Sequence, residues 1–144
     1  MSEQGVVNGS CLCDAVKLST TSANKKVGAC HCGMCRKWGG SSLLVIECNS
    51  DLNFSSRENI GIYQSSDWAE RGFCNKCGTH LFYRFKQNDL YYIPVGIFDN
   101  LEGLVFDHQI FIDKKPEFYS FANETKNLTE EETFAMFGSV ADKL

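Results

Sequence analysis

Three cysteines fall within six residues in the stretch from Cys30 to Cys35. Residues two apart in a strand lie on the same face, so Cys30 and Cys32 can point together while His31 points away. Gly33 then allows the chain to turn, and Cys35 follows Cys32 at the two-residue spacing of metal-binding knuckles. Packing alone hardly explains three thiols that converge on one point. This cysteine triplet, Cys30, Cys32 and Cys35, therefore predicts a metal site with three protein ligands.

Four further cysteines form two pairs that are far apart in the chain. Cys11 and Cys13 make a CxC pair, and Cys74 and Cys77 make a CxxC pair. A structural zinc site takes four ligands in a tetrahedron, whereas a catalytic zinc site has three protein ligands and one open position. The spacing therefore fits one closed site, made by this cysteine quartet, and one open site, made by the triplet.

The eighth cysteine leaves other arrangements open. Cys48 could join the triplet and close a second site, but it ends a strongly apolar run and free cysteine is often buried, so we expect it to pack in the core. An iron–sulfur cluster also uses four thiolates, although the spacing matches no common ferredoxin pattern. Disulfides are a further alternative, but the loops that CxC and CxxC pairs close are too short to restrict the unfolded chain much.

Length, charge and hydropathy limit the class of protein. The 144 residues fit a single domain, 1–144, with a core of its own. The net charge of −4 and the lack of a basic run argue against a nucleic-acid partner. No apolar run approaches the roughly 18 residues of a membrane helix, and residues 1–5 do not begin a signal peptide. We therefore expect a cytoplasmic protein, in which clustered thiols are more often metal ligands than disulfides.

The secondary-structure elements that position these thiols are predicted to be mostly short strands and turns. Polarity alternation and turn residues predict strand segments at 6–20 (interrupted by a turn), 27–32, 42–48, 52–54, 60–63, 79–85, 90–98 and 106–112. Residues 36–40 are expected to form a short turn, and Gly78 is expected to take a positive φ. Pro94 suggests an edge strand or a bulge.

One helix is predicted near the C-terminus. Thr129 and Glu132 have the spacing of a capping box, and acidic residues occupy the first turn, where the helix dipole favours them. Phe134, Phe137 and Ala141 then fall on one stripe. The expected fold class is therefore mainly β, with a short C-terminal helix.

The three histidines are weaker candidates for metal ligands. His31 lies between two predicted ligands and should face the other way, His80 alternates with core positions, and His108 is flanked by polar residues. We expect each of them to be a structural histidine.

Five segments together resemble one enzyme family. They are residues 9–16 (GSCLCDAV), 30–37 (CHCGMCRK), 71–79 (RGFCNKCGT), 95–99 (VGIFD) and 108–116 (HQIFIDKKP). These segments look like the GxCxCGxV, CHCxxCR and FCxxCG motifs and the later V-G-x-L-D and His-to-Lys-Pro segments of the glutathione-dependent formaldehyde-activating enzyme family. The resemblance spans about residues 5–120 and leaves 121–144 as a C-terminal extension.

The resemblance implies a β-tent fold, in which zinc holds antiparallel sheets together. It also implies two zinc ions per chain: a structural zinc on Cys11, Cys13, Cys74 and Cys77, and a catalytic zinc on Cys30, Cys32 and Cys35. The implied activity is that of a carbon–sulfur lyase, which combines glutathione and formaldehyde reversibly to S-hydroxymethylglutathione, or acts on a related small thiol adduct.

Three residues that follow the triplet are candidates for substrate binding. Arg36 and Lys37 can meet the carboxylates of a glutathione-like thiol, with solvated surface cations as the alternative. Trp38 is close enough to line a pocket, with a core or rim position as the alternative. The chain departs from the family pattern at Asp14, where glycine is usual, and at Phe98, where leucine is usual. It is also shorter than the members that handle glutathione.

Two functions other than catalysis remain open. Small zinc-bearing β domains also serve as binding modules without catalysis, and fold does not fix function. The triplet could alternatively be a redox sensor, in which the Cys30 and Cys35 thiols oxidise when metal is lost.

Overall fold

The computed structural model describes residues 6–137, without the side chain of Phe137. Residues 1–5, on which the expectation of no signal peptide falls, and Ala141 of the predicted helical stripe lie outside the described residues. The strands are β1 (Val7–Ser10), β2 (Lys17–Thr20), β3 (Lys26–Cys30), β4 (Leu43–Cys48), β5 (Asn53–Phe54), β6 (Ile60–Tyr63), β7 (Ala69–Cys74), β8 (His80–Phe85), β9 (Leu90–Pro94), β10 (Val105–Ile110) and β11 (Lys126–Asn127). The helices are α1 (Gly33–Gly39) and α2 (Glu130–Phe137).

The predicted mainly β class is confirmed. The described residues divide into two compact units, 6–25 with 46–103 and 26–45 with 104–137. That residues 1–144 form a single domain, and that the fold is a β-tent, both stay predictions. No helix between residues 6 and 137 has the length and apolar character needed to span a bilayer.

The first unit contains two groups of antiparallel strands. The strands β1, β2 and β5 form a three-stranded sheet in that order. The strands β9, β8, β7 and β6 are neighbours in that order. The Phe82 ring of β8 contacts Phe54 of β5 and Tyr91 of β9, with ring centroids 5.3 and 5.1 Å apart. Aromatic packing therefore joins the two groups into one core.

The second unit is built around β10. This strand runs parallel to β3 and to β11, and β3 pairs antiparallel with β4 through residues 43–45. The helix α2 begins with the predicted capping box, which is confirmed: the Glu132 N–H donates to the Thr129 hydroxyl, and the Glu132 carboxylate accepts from the Thr129 N–H. The Phe134 ring of α2 lies 5.6 Å from the Phe111 ring, which seats the helix on the unit.

Most predicted strands are present, but the sequence pattern predicted no strand at β7 or β11. Three further details differ. A turn is expected at residues 36–40, but residues 36–39 belong to the helix α1, and Gly40 is its C-cap with a left-handed φ of 87°. The strand expected at 27–32 ends at Cys30, because Cys32 is already the N-cap of α1. The edge or bulge expected at Pro94 is wrong, since Pro94 ends β9 and a 3₁₀ turn, Val95–Ile97, follows.

A close approach in the first unit gives a test of this packing. The Phe82 ring lies over Gly72 of β7, and a Cβ at Gly72 would meet that ring at 2.3 Å. We expect Gly72→Ala to lower the free energy of unfolding by about 1–3 kcal/mol, because the ring would have to leave its packed position. The measurement is urea unfolding followed by tryptophan fluorescence.

The matched control is Gly96→Ala, where a Cβ would meet nothing within 4 Å. We expect its free energy of unfolding to stay within about 0.5 kcal/mol of the parent. Equal losses in the two variants would contradict the packing of Phe82 on Gly72.

Candidate metal centres

The structure brings the cysteine quartet together inside the first unit. Its four Sγ atoms lie within 4.8 Å of one another. Cys11 follows β1 directly, and Cys74 is the last residue of β7. The positive φ of 82° predicted at Gly78 is confirmed, and it lets the chain turn after Cys77. Two turns that are far apart in sequence therefore bring their thiols to one point.

The turn after β1 explains a departure from the family pattern. The Asp14 N–H donates to the Cys11 carbonyl, and the Cys11 N–H donates to the Val16 carbonyl. This tight turn gives Asp14 a left-handed φ of 65°. Glycine takes that conformation without strain, and aspartate is among the few other residues that tolerate it. Asp14 can therefore stand where glycine is usual and still leave both thiols of the pair in place.

The spacing of the quartet sulfurs fits a tetrahedral metal ion. Cys11 Sγ lies 3.7 Å from Cys13 Sγ, and Cys13 Sγ lies 3.8 Å from Cys74 Sγ. Four sulfurs bound at about 2.3 Å in a tetrahedron lie roughly 3.8 Å apart, whereas a disulfide needs about 2.05 Å. All eight cysteines are free thiols, so the disulfide alternative is wrong.

The electrostatics of the quartet also call for a cation. Hydrogen bonds from the Thr79 hydroxyl and backbone lower the pKa of the Cys77 thiol to about 5. At Cys13, a backbone hydrogen bond at Ala15 favours the thiolate, but desolvation and the neighbouring thiols outweigh it and raise the pKa to about 12. Crowded sulfurs cannot all ionise unless a positive charge lies among them. The donor set therefore fits a divalent metal.

The triplet is assembled where β3 passes into α1, inside the second unit. Its three Sγ atoms lie within 4.8 Å of one another. Cys30 ends β3, Cys32 caps α1 and accepts a hydrogen bond from the Cys35 N–H at 3.4 Å, and Cys35 is buried. Hydrogen bonds shared with the other two thiols, together with burial, raise the pKa of Cys30 far above its usual range. As in the quartet, a bound cation would relieve this crowding.

Cys48 belongs to neither metal-binding group. Its side chain is fully buried, and burial raises the pKa of its thiol to about 12. The expected packing role agrees with this environment, and the triplet group contains three cysteines rather than four.

The histidines lie outside both metal-binding groups of the described chain. His31 is fully buried, with its Nε2 2.7 Å from Gln109 Oε1, so its side chain does turn away from the thiols as expected. Burial lowers the pKa of His31 and that of His80. His108 pairs through Nδ1 with the Asp107 carboxylate at 2.6 Å.

A pocket of about 330 Å³ lies within the second unit; Gly33, between Cys32 and Cys35 in the chain, lines it, whereas no triplet cysteine is among its lining residues. One wall comes from α1 and the turn after it, including Arg36 and Lys37, and the other from Pro116, Phe118 and Tyr119. The Arg36 guanidinium is fixed by a 2.9 Å hydrogen bond from its Nε to the His31 carbonyl.

The sequence predicted only part of this pocket. Trp38 is half-buried on α1 and is not among the lining residues, so its predicted role in substrate binding stays a prediction. The sequence analysis did not predict the wall at residues 116–119. The signal in the sequence that could have indicated it is a cluster of aromatic residues, Phe118, Tyr119 and Phe121.

Comparisons with known proteins identify the family of this chain. The family model of the glutathione-dependent formaldehyde-activating enzyme matches residues 6–114. An uncharacterized lyase of Schizosaccharomyces pombe is 39% identical over 125 residues, which cover 86% of this chain and 91% of the yeast protein. A crystal structure of a Rhodobacter sphaeroides protein is similar with a TM-score of 0.55 and 25% identity, over 66% of this chain and 90% of that one.

Two buried cysteines allow a matched test of the quartet. Cys74 and Cys48 are both fully buried, but only Cys74 belongs to a metal-binding group. We expect Cys74→Ser to bind one metal ion fewer per chain than the parent and to unfold at a lower temperature, because metal binding to a thiolate site is coupled to folding. Elemental analysis and thermal unfolding, with and without a chelator, measure both effects.

The control, Cys48→Ser, should keep the metal content of the parent even if it loses some stability from the buried hydroxyl. Unchanged metal content in Cys74→Ser, or equal loss in both variants, would contradict the assignment of the quartet.

Proposed function

Because the chain belongs to the glutathione-dependent formaldehyde-activating enzyme family, we propose that it is a zinc-dependent carbon–sulfur lyase. In the proposed reaction, the sulfur of glutathione or a related small thiol bonds to the carbon of formaldehyde, and the thiol proton moves to the carbonyl oxygen. The product is S-hydroxymethylglutathione, and the reverse reaction releases both reactants. The lyase name of the fission-yeast relative supports this class of reaction.

The observation that carries the proposal is the unequal size of the two cysteine groups. The quartet supplies the four ligands of a closed tetrahedral site, so we assign a structural zinc to Cys11, Cys13, Cys74 and Cys77. The triplet supplies three ligands, so we assign a second zinc to Cys30, Cys32 and Cys35. When bound by the triplet, zinc supplies a Lewis acid with one exchangeable position, which favours the ionised form of an incoming thiol.

The residues of the triplet tune this chemistry through their charge. Three thiolates give the site net negative charge, which keeps a sulfur that arrives there electron-rich and nucleophilic. The Cys35 N–H stabilises the Cys32 thiolate through the hydrogen bond at 3.4 Å. The main chain around α1 therefore holds the ligands in place before substrate arrives.

The pocket supplies the means to hold and orient the thiol substrate. Arg36 and Lys37 line it, and it has no acidic side chain in its lining. Glutathione carries two carboxylates, which such cations bind by charge-assisted hydrogen bonds. Because Arg36 is held by the His31 carbonyl, it presents its guanidinium with little loss of side-chain entropy. We propose that the pocket orients glutathione with its sulfur toward the triplet.

A variant of the triplet tests the proposed function. We expect Cys32→Ser to lower the zinc content from two ions per chain to one, with little change in far-UV circular dichroism, because the quartet is left intact. The exchange of ¹³C-formaldehyde between its free form and its glutathione adduct, measured by exchange NMR, should fall to the uncatalysed rate.

The control is Cys48→Ser, which should keep two zinc ions and the exchange rate of the parent. A parent protein that holds two zinc ions but does not accelerate exchange would contradict the lyase proposal and favour a non-catalytic binding module.

A further inference from the structure

One wall of the pocket comes from a segment that lies beyond the part matched by the family model. That match ends at residue 114, and the wall consists of Pro116, Phe118 and Tyr119. The ring of Phe118 is 82% exposed at the pocket and contacts the Tyr119 ring, with centroids 4.8 Å apart. Together the two rings give this wall of the pocket an apolar surface that a ligand can contact.

A partly buried chain of hydrogen bonds holds this wall against the triplet segment. The Gln109 amide donates from Nε2 to the Thr125 hydroxyl at 2.9 Å, so its Oε1 faces His31 and accepts from His31 Nε2 at 2.7 Å. With the proton on Nε2, the Nδ1 of a neutral His31 is an acceptor. The Tyr119 hydroxyl lies 3.4 Å from Nδ1 and donates to it. The position of Tyr119 is therefore set by the histidine between two triplet cysteines.

Two further contacts fix the backbone of the wall. Lys115 Nζ donates to the Pro116 carbonyl at 2.7 Å and also to the Tyr119 carbonyl, and it lies over the Tyr119 ring, 4.8 Å from the centroid. Phe121 packs its ring edge-on against Phe106 of β10, with centroids 4.9 Å apart. Residues 115–121 thus form an anchored segment rather than a free loop.

The opposite wall has the complementary chemistry. Arg36 and Lys37 project from α1, and the small residues Gly40, Ser41 and Ser42 complete that side. Two cations and two serine hydroxyls face an aromatic surface, and no carboxylate lines the pocket to neutralise them. Such a surface favours an anionic ligand with an apolar portion that lies against the rings.

We propose that residues 116–119 and the cations of α1 together form a subsite for the carboxylate-bearing part of the thiol substrate, with Tyr119 as its positioning residue. This inference rests on the proposed function for the identity of the thiol. The Tyr119–His31 hydrogen bond keeps the aromatic wall at a fixed distance from Arg36 and Lys37. Residues 116–119 therefore take part in selecting the substrate.

The test uses S-methylglutathione as the probe, because its blocked sulfur cannot ionise or react and its binding reports on the pocket alone. Isothermal titration calorimetry compares this probe with its dimethyl ester, in which both carboxylates are esterified. We expect the parent to bind the free acid more tightly than the ester. Lys37→Ala, which changes an exposed side chain, should reduce this preference.

Tyr119→Phe keeps the ring and removes the hydroxyl. We expect it to bind S-methylglutathione about fivefold more weakly, as for the loss of one neutral hydrogen bond, and to raise KM for glutathione while kcat and zinc content stay at the parent values. The controls are Tyr63→Phe and Lys17→Ala, both at exposed positions of the other unit, which should bind both probes as the parent does.

The outcomes separate the two proposals. Equal binding of acid and ester by the parent, or parent-like binding by both Lys37→Ala and Tyr119→Phe, would overturn the subsite. A parent protein that binds the free acid selectively but does not accelerate formaldehyde exchange would support the subsite and overturn the lyase function.

Discussion

The crowding of sulfur atoms is the constraint on which the rest of the site depends. The thiols form one group of three and one group of four, and within each group the sulfur atoms lie within 4.8 Å of one another. This crowding raises the pKa of Cys30 and of Cys13, while nearby hydrogen bonds lower the pKa of Cys77. Only a bound cation lets every sulfur of a group ionise together. Each group can therefore hold a metal ion, and the number of cysteines in it decides whether a coordination position would stay open for substrate.

The sequence predicted this arrangement well because its evidence was local. CxC and CxxC spacings fix which thiols share a turn, and the split into four and three follows from tetrahedral coordination. The capping box at Thr129 and the positive φ at Gly78 were also predictable, since each depends on residues within one turn. The burial of Cys48 followed from the apolar run that precedes it.

The features that escaped prediction depend on contacts between distant residues. The helix α1 has only seven residues, and its N-cap is a cysteine, so neither its length nor its cap gives the usual signal. Likewise, the pocket wall at Tyr119 is placed by a hydrogen bond to His31, 88 residues away in the chain. No periodicity encodes such a contact. The parts that specify a ligand are therefore harder to predict than those that hold a metal.

The central claim is that the chain holds one closed and one open thiolate metal site. Cadmium-113 NMR of the cadmium-substituted protein, titrated with glutathione, tests it directly. The account predicts two resonances, of which the one from the triplet shifts as glutathione binds while the one from the quartet stays fixed. A single resonance, or two resonances that glutathione leaves unmoved, would contradict the account.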